Sequence, residues 1–364
     1  MSLPTRAMTY KKATKSFAVK SISSEPSILI ILMGSLGDVA RGLGLISHIK
    51  SQRPQSRITW LVEPKCADLV GLHPQIDNII IFKRKWSIIA VWDLVQQLRK
   101  EHFDITLDLQ RHLKSGFFAL LSNGTQRIGF HRKNAKESNW IFNNEHIDYF
   151  SEKLPKLQHY FKFLGHLGFP EPSDVDFGFS QFQARQYLPN GLSELRHPLV
   201  AVLLGSRWES KNWFVDGYIQ LVQRIVATAD LQVALIGDRS QAADAQKISE
   251  NVKNKEVMNL VGKTSLAELT AVLKLAAAAI GPDSGPGHLA AAVGTPYVTL
   301  FGPTSPKRTA PYGCEHLVVQ ANLNCIPCYK KQCPEQTKQC MHSIGADDIM
   351  EKLSLALSSG LIDH

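Results

Sequence analysis

What the sequence lacks narrows what the chain can do. No apolar run approaches the roughly 20 residues that cross a bilayer, and the opening residues hold no signal-peptide apolar core, so a cytoplasmic chain is expected. A dinucleotide fingerprint is missing, because Gly34, Gly37, Gly42 and Gly44 do not fit G-x-G-x-x-G. A Walker loop is missing too, since Val257 stands where the first glycine before Gly262-Lys263-Thr264 belongs. Nor is there an aromatic and basic recognition motif, which argues against a nucleic-acid partner.

What is present suits a soluble globular protein. The 364 residues exceed what one core usually organises, so two α/β domains with a cleft between them are expected. Lys+Arg 41 against Asp+Glu 32 leaves a net +9, which favours an anionic partner such as a phosphate, an acidic sugar or an anionic membrane surface. Residues 1–26 carry Arg6, Lys11, Lys12, Lys15 and Lys20 against Glu25 alone. They read as a basic disordered tail that either lies along an anionic membrane face or has no role.

Apolar runs and helical stretches then alternate. Residues 27–33 form an uninterrupted apolar strand ending in Gly34-Ser35-Leu36-Gly37-Asp38, and a helix is expected over 39–52. Strands follow at 58–62, 78–82, 105–109 and 127–130, with helices at 88–101, 112–122 and 154–167. Pro170 and Pro172 open a linker, and a second series starts with a strand at 199–204 and a helix at 215–227. Strands at 232–236 and 257–261 precede the capping box Ser265-x-x-Glu268, which opens a further helix. A strand at 276–280, a polar turn at 281–287, a helix at 288–293, a strand at 297–301 and a last helix at 347–357 complete the series. The pattern is α/β, two doubly wound Rossmann-like domains facing across a cleft. The expected division is a tail at 1–26, a first domain at 27–175, a linker at 176–197, a second domain at 198–345 and a closing helix at 346–364.

The stretch 280–303 concentrates the chemistry. A strand turning into a helix N-terminus aims backbone N–H groups and the positive helix end at one spot, where a phosphate binds without needing a lysine. Asp283 and Ser284 stand there, at the carboxyl edge of the sheet; the plainer alternative is that they cap a helix. Asp38, after the first strand, is likewise either a cap or a general base at the cleft rim. Lys83, Arg84 and Lys85 with Trp86, and then Arg111, His112 and Lys114, make two successive basic loops on one sheet edge. They either grip an acidic acceptor or are solvated. Cys325-x2-Cys328-x4-Cys333-x6-Cys340 is a cluster open to a metal, redox pairing or a reduced loop clamp.

Taken in order, Gly34-x-x-Gly37-Asp38, Lys211-x-Trp213, Asp283-Ser284-Gly285-x-x-His288 and Phe301-Gly302-Pro303-Thr304-Ser305-Pro306 resemble the motifs of glycosyltransferase family 9, the bacterial lipopolysaccharide heptosyltransferases. The tail with Cys325-x-Pro327-Cys328 and Cys340-Met341 is similar to that of many members, and the resemblance runs over about 27–358. It implies the two-domain GT-B fold, with acceptor on the first domain and nucleotide sugar on the second. It assigns the base of an inverting transfer to Asp38 and the diphosphate grip to Lys211 with backbone amides between Ser284 and Gly287. Asp283, Ser284, Gly285 and His288 would contact donor diphosphate and sugar, with Ser206 and Arg207 nearby, Thr264 by the base and Asp238 near the ribose. No metal or cofactor is required on this scheme.

The resulting expectation is transfer of a heptose from ADP-heptose to the lipopolysaccharide inner core. The enzyme would be cytoplasmic and peripheral to the inner membrane, with an anionic glycolipid acceptor gripped by Lys83, Arg84, Lys85, Arg111 and Lys114. The rivals are a sugar-nucleotide isomerase of the 2-epimerase kind, a family 9 transferase with another donor sugar, and a basic nucleic-acid-binding protein.

Overall fold

The computed structural model describes residues 25–360 apart from 84–87, 190–191, 193–194 and 229. The first lobe runs β1 (Ser27–Ile31), α1 (Leu36–Gln52), β2 (Arg57–Val62), α2 (Pro64–Gly71), β3 (Asn78–Ile81) and α3 (Ile88–Leu98). It continues with β4 (Ile105–Asp108), α4 (Leu113–Leu121), β5 (Gln126–Gly129), β6 (Glu145–His146) and α5 (Lys156–His166). The second lobe begins with β7 (Leu199–Leu203), α6 (Val215–Ala227), β8 (Gln232–Ile236), α7 (Ala242–Val252), β9 (Val257–Asn259) and α8 (Leu266–Leu275). There follow β10 (Ala276–Pro282), α9 (Gly285–Ala292), β11 (Tyr297–Phe301), α10 (Pro306–Thr309), β12 (Val318–Gln320), α11 (Gln339–His342) and α12 (Ala346–Gly360).

Each lobe holds one six-stranded sheet in which every pairing is parallel. The orders are β3-β2-β1-β4-β5-β6 and β9-β8-β7-β10-β11-β12, so the two lobes repeat one topology. In such a sheet the strand order reverses between its two central strands, and the crevice beyond their carboxyl ends is where ligands sit. Those strands are β1 and β4 in the first lobe and β7 and β10 in the second. Their runs are apolar on both faces because helices cover both: Ile28 to Ile31 and Val200 to Val202 are all at most 1% exposed.

Two boundaries differ from expectation with functional effect. The first helix begins at Leu36, so Asp38 lies in its first turn instead of the preceding loop. β10 extends to Pro282 and α9 starts at Gly285, shortening the expected polar turn, because Pro286 at the second helical position suits a helix start. The periodic pattern missed α2 and α7; α7 is a surface helix that buries only Ala245 and Ile248. The 176–197 stretch buries Phe177, Phe179, Ala184 and Leu192. A Cβ on Gly44 of α1 would come within 2.7 Å of Val175 and 3.1 Å of Phe177, so this segment packs tightly on the first lobe. α12 buries Ile349, Leu353 and Ala356, and packs on α6, β10 and β11 of the second lobe.

Candidate active site

The first lobe presents Asp38. Its carboxylate accepts from Ser35 Oγ at 3.0 Å and Tyr160 OH at 3.4 Å, and pairs with Arg41 Nη2, one turn along α1, at 2.9 Å. Burial alone would raise its pKa, but the Arg41 guanidinium and the nearby Lys156 ammonium outweigh this and hold it at about 2. The side chain stays 30% exposed and lines a cavity of about 130 Å³ with Gly34, Gln110, Arg111, Lys156 and Tyr160. This cavity is the β1/β4 crevice. Lys156, on the first residue of α5, makes no ion pair or hydrogen bond with the described residues, and burial lowers its pKa to about 8 despite Asp38.

Arg111 enters the cavity wall after β4. It is buried, pairs with Glu152 at 2.7 Å and lies over the Phe130 ring at 4.8 Å. Burial and the Arg111 charge push His159 down to about 3, so its Nδ1 accepts from Arg111 Nη2 at 3.0 Å and its Nε2 donates to the Leu154 carbonyl at 3.0 Å. The other basic-loop residues behave differently. Lys114 turns from the cavity to pair with Glu63 at 3.0 Å and lies over Phe82, Lys83 is exposed, and Arg84 and Lys85 fall outside the described residues.

The second lobe presents a cation held in place. Lys211 Nζ donates to Asp283 Oδ2 at 2.7 Å and to the Asp283 carbonyl at 3.3 Å. Thr304 and Thr309 donate to the same carboxylate oxygen at 2.7 and 3.2 Å, and Ser206 Oγ donates to the Asp283 carbonyl at 3.3 Å. Burial would raise the Asp283 carboxyl, but the Lys211 ammonium and the hydrogen bonds from Lys211 and Thr304 bring it below its ordinary value. One oxygen of the Asp283 carboxylate is thus engaged by Lys211, Thr304 and Thr309, and it orients the Lys211 ammonium. Pro286 has no N–H, so the donors between Ser284 and Gly287 reduce to Ser284, Gly285 and Gly287. Ser284 occupies the N-cap position without a side-chain cap bond.

Asp238 caps the short turn Arg239–Gln241, one carboxylate oxygen accepting from Ser240 N at 2.7 Å, and the residue is exposed. Thr264 is half-buried just before the Ser265 cap, and the turn containing it abuts the Asp238 turn, where a Cβ on Gly262 would meet Arg239 Cγ at 2.9 Å. Arg207 is exposed.

The two sites meet where α1 and α9 begin. A Cβ on Gly37 would lie 2.8 Å from His288 Cδ2 and 3.2 Å from Gly285 Cα, so only glycine permits this approach. Two positive helix ends thus converge with Arg41, Lys156 and Lys211, a field suited to a polyanion. Burial and the charge of Arg41 take His288 down to about 3, so its imidazole is neutral there. Arg41 keeps Nε and Nη1 buried without hydrogen-bond partners.

Arg41, Lys156, Tyr160, Thr304 and Thr309 were missed in the sequence. Arg41 carried a signal, the i, i+3 spacing from Asp38 once both lie on one helix. Lys156 and Tyr160 carried none, because α5 reaches Asp38 from more than a hundred residues away. Among the described residues no group of three His, Cys, Asp or Glu side chains is arranged to hold a metal, and all six cysteines are free thiols. No helix among them is long and apolar enough to cross a membrane.

Two facing doubly wound lobes, each with its polar site at the strand-order reversal, make the two-domain GT-B fold. Residues 91–339 match the family model described as glycosyltransferase family 9 (heptosyltransferase), and the chain belongs to that family. It is 29% identical over 291 residues to the lipopolysaccharide core heptosyltransferase OpsX of Haemophilus influenzae, covering 79% of this chain and 82% of that protein. It is 26% identical over 323 residues to lipopolysaccharide heptosyltransferase 1 of Pseudomonas aeruginosa, covering 85% and 88%. The structure of E. coli heptosyltransferase WaaC with ADP superposes with a TM-score of 0.75 at 20% identity, over 91% of this chain and 99% of that one. These relatives are transferases, which does not favour the isomerase alternative.

Proposed function

We propose that the chain transfers a heptose from ADP-heptose to an anionic inner-core acceptor of lipopolysaccharide, with inversion, at the cytoplasmic face of the inner membrane. The observation that carries this reading is the Asp38 carboxylate, open to a cavity of one lobe beside the helix start that holds the cation site of the other. Asp38 Oδ accepts the acceptor hydroxyl proton as that oxygen attacks the anomeric carbon. Lys211, aimed by Asp283, and the Ser284, Gly285 and Gly287 amides take up the charge growing on the departing diphosphate. That positive charge comes from the protein, so the scheme assigns no step to a metal or cofactor. Arg111 and the unpaired Lys156 face the acceptor's anionic groups.

The names and bound nucleotides of the relatives support ADP-heptose as donor, and the positive cavity wall supports an acidic acceptor. The test incubates the chain with ADP-heptose and a deacylated inner-core acceptor and follows masses by spectrometry. The expected result is an acceptor heavier by one heptose residue together with stoichiometric ADP. Donor conversion without acceptor would identify an isomerase, and ADP-heptose that neither binds nor turns over while another nucleotide sugar does would overturn the donor assignment.

A further inference from the structure

The large apolar side chains left in water are not spread evenly. Among the described residues the second lobe, from β7 onward, exposes Tyr329 and Leu355, and Tyr187 is exposed ahead of it, whereas the first exposes Ile81, Tyr149, Ile89 and Trp92 on α3, Leu113 and Leu120 on α4, and Trp140 and Ile141 on the turn Asn139–Phe142. Ile89 is 74% and Trp92 61% exposed. Those on α3, α4 and the turn share one layer. α3 and α4 cover the same sheet face through Leu94, Leu98, Phe118 and Ala119, and the Phe117 and Phe142 rings, 6.4 Å apart edge to face, tie α4 to the turn. The other sheet face, with α1 and α5, looks toward the second lobe.

The layer also adjoins the Asp38 cavity. His112 and Lys136 line that cavity, and the Glu137 carboxylate bonds both His112 Nδ1 and the Leu113 amide at 3.1 Å. Exposed cations mark the neighbouring sheet-edge loops: Lys83 after β3, and Arg132, Lys133 and Lys136 after β5. The exposed carboxylates of the same region are Asp93, Glu137, Asp148 and Glu152, and Glu137 and Glu152 are already engaged. Tryptophan and isoleucine standing in water beside a rim of cations match the interfacial region of an anionic bilayer, where indole sits at headgroup level and ammonium groups meet phosphates.

We propose that the outer layer of the first lobe, α3, α4 and the turn Asn139–Phe142, docks on an anionic lipid bilayer and so brings the Asp38 cavity to the membrane surface. The proposal deepens the proposed function, resting on it for a lipid-linked acceptor, and names the surface that meets the lipid.

The full chain is floated with vesicles of phosphatidylethanolamine and phosphatidylglycerol, and separately with phosphatidylcholine alone. Two paired variants are compared with it: Ile89→Ser with Trp92→Ser, and Trp140→Ser with Ile141→Ser. The unmodified chain is expected to partition onto the anionic vesicles in preference to the zwitterionic ones. Each pair should lower that partition by about 10-fold or more, since each removes apolar surface worth several buried methylenes. Turnover on a deacylated, soluble acceptor should be unchanged in both variants, which also shows that they fold. Partition unchanged in both pairs, as when residues 1–26 alone hold the membrane, overturns the proposal; so does absence of partition by the unmodified chain. A loss of self-association without loss of partition would assign the layer to a second copy of the chain and equally overturn it. Flotation is read without catalysis, so absence of heptose transfer would sink the transferase reading while leaving the docking result to stand or fall by itself.

Discussion

Asp38 and Asp283 both lie at the strand-order reversal of their lobes, Asp38 after β1 and Asp283 after β10. Each follows a central strand of a parallel sheet where a helix begins, and each is held below its ordinary carboxylate pKa by a neighbouring cation, Arg41 in one case and Lys211 in the other. They differ in what remains free. The Asp283 side chain is 6% exposed, and one of its oxygens accepts from Lys211, Thr304 and Thr309. The Asp38 side chain is 30% exposed, has one strong ionic partner and faces a cavity. Two like crevices thus hold an engaged carboxylate in one lobe and an open one in the other, and the difference is how many donors surround the carboxylate.

The contrast breaks first at Asp38. Asp38→Asn should lower turnover by about 10²–10⁴-fold while nucleotide binding, read by calorimetry, persists; unchanged turnover would remove the base. Lys211→Ala should lower kcat by about 10²–10³-fold. It should also destabilise the fold by about 3 kcal/mol, because it strands a buried carboxylate. Combining it with Asp283→Ala sharpens the comparison: stability in urea should partly recover and activity should not. If activity recovered along with stability, Lys211 would be structural.

Arg41→Met tests the electrostatics. The Asp38 carboxyl is held at about 2, so in the parent enzyme the base form persists well below pH 4. Without the guanidinium, burial is less opposed and the carboxyl rises, so the acidic limb of kcat/KM should move up by about 1–2 pH units. An unmoved limb would mean that Arg41 does not control Asp38. The smallest expected effect is none: activity should survive EDTA, because Lys211 and the α9 helix start carry the positive charge that a divalent ion would otherwise supply, and a loss restored by added metal would refute this.

Much of this was legible beforehand. Uninterrupted apolar runs at 27–33 and 199–204, spaced by helices, specify buried parallel strands because only a sheet covered on both faces accepts such runs. The small residues of α9 suit a helix lying close on its sheet, and Gly37 and Gly285 stood in the quoted motifs, but their approach to each other across the lobes was not legible. The basic loops were less transparent: Arg111 reached the cavity and Lys114 went to Glu63, a choice made by the neighbouring side chains. Asp238, expected near the ribose, also caps a turn, because a carboxylate one residue before a short turn is met by the nearest amide. That Asp283 would bond Lys211 was not legible, since the two are 72 residues apart.

The amino-acid order determined on its own the strands, the helices and the turns that join them, since these follow from local periodicity and from the backbone needs of glycine and proline. Tertiary structure alone decided which polar groups stay free. Pairing consumes a charge, and the partners of Asp38, Lys211 and Lys156 are chosen across tens to hundreds of residues by which elements the sheet order brings to one crevice. The open carboxylate, the braced lysine and the unpaired lysine therefore became distinguishable only when both lobes were in place.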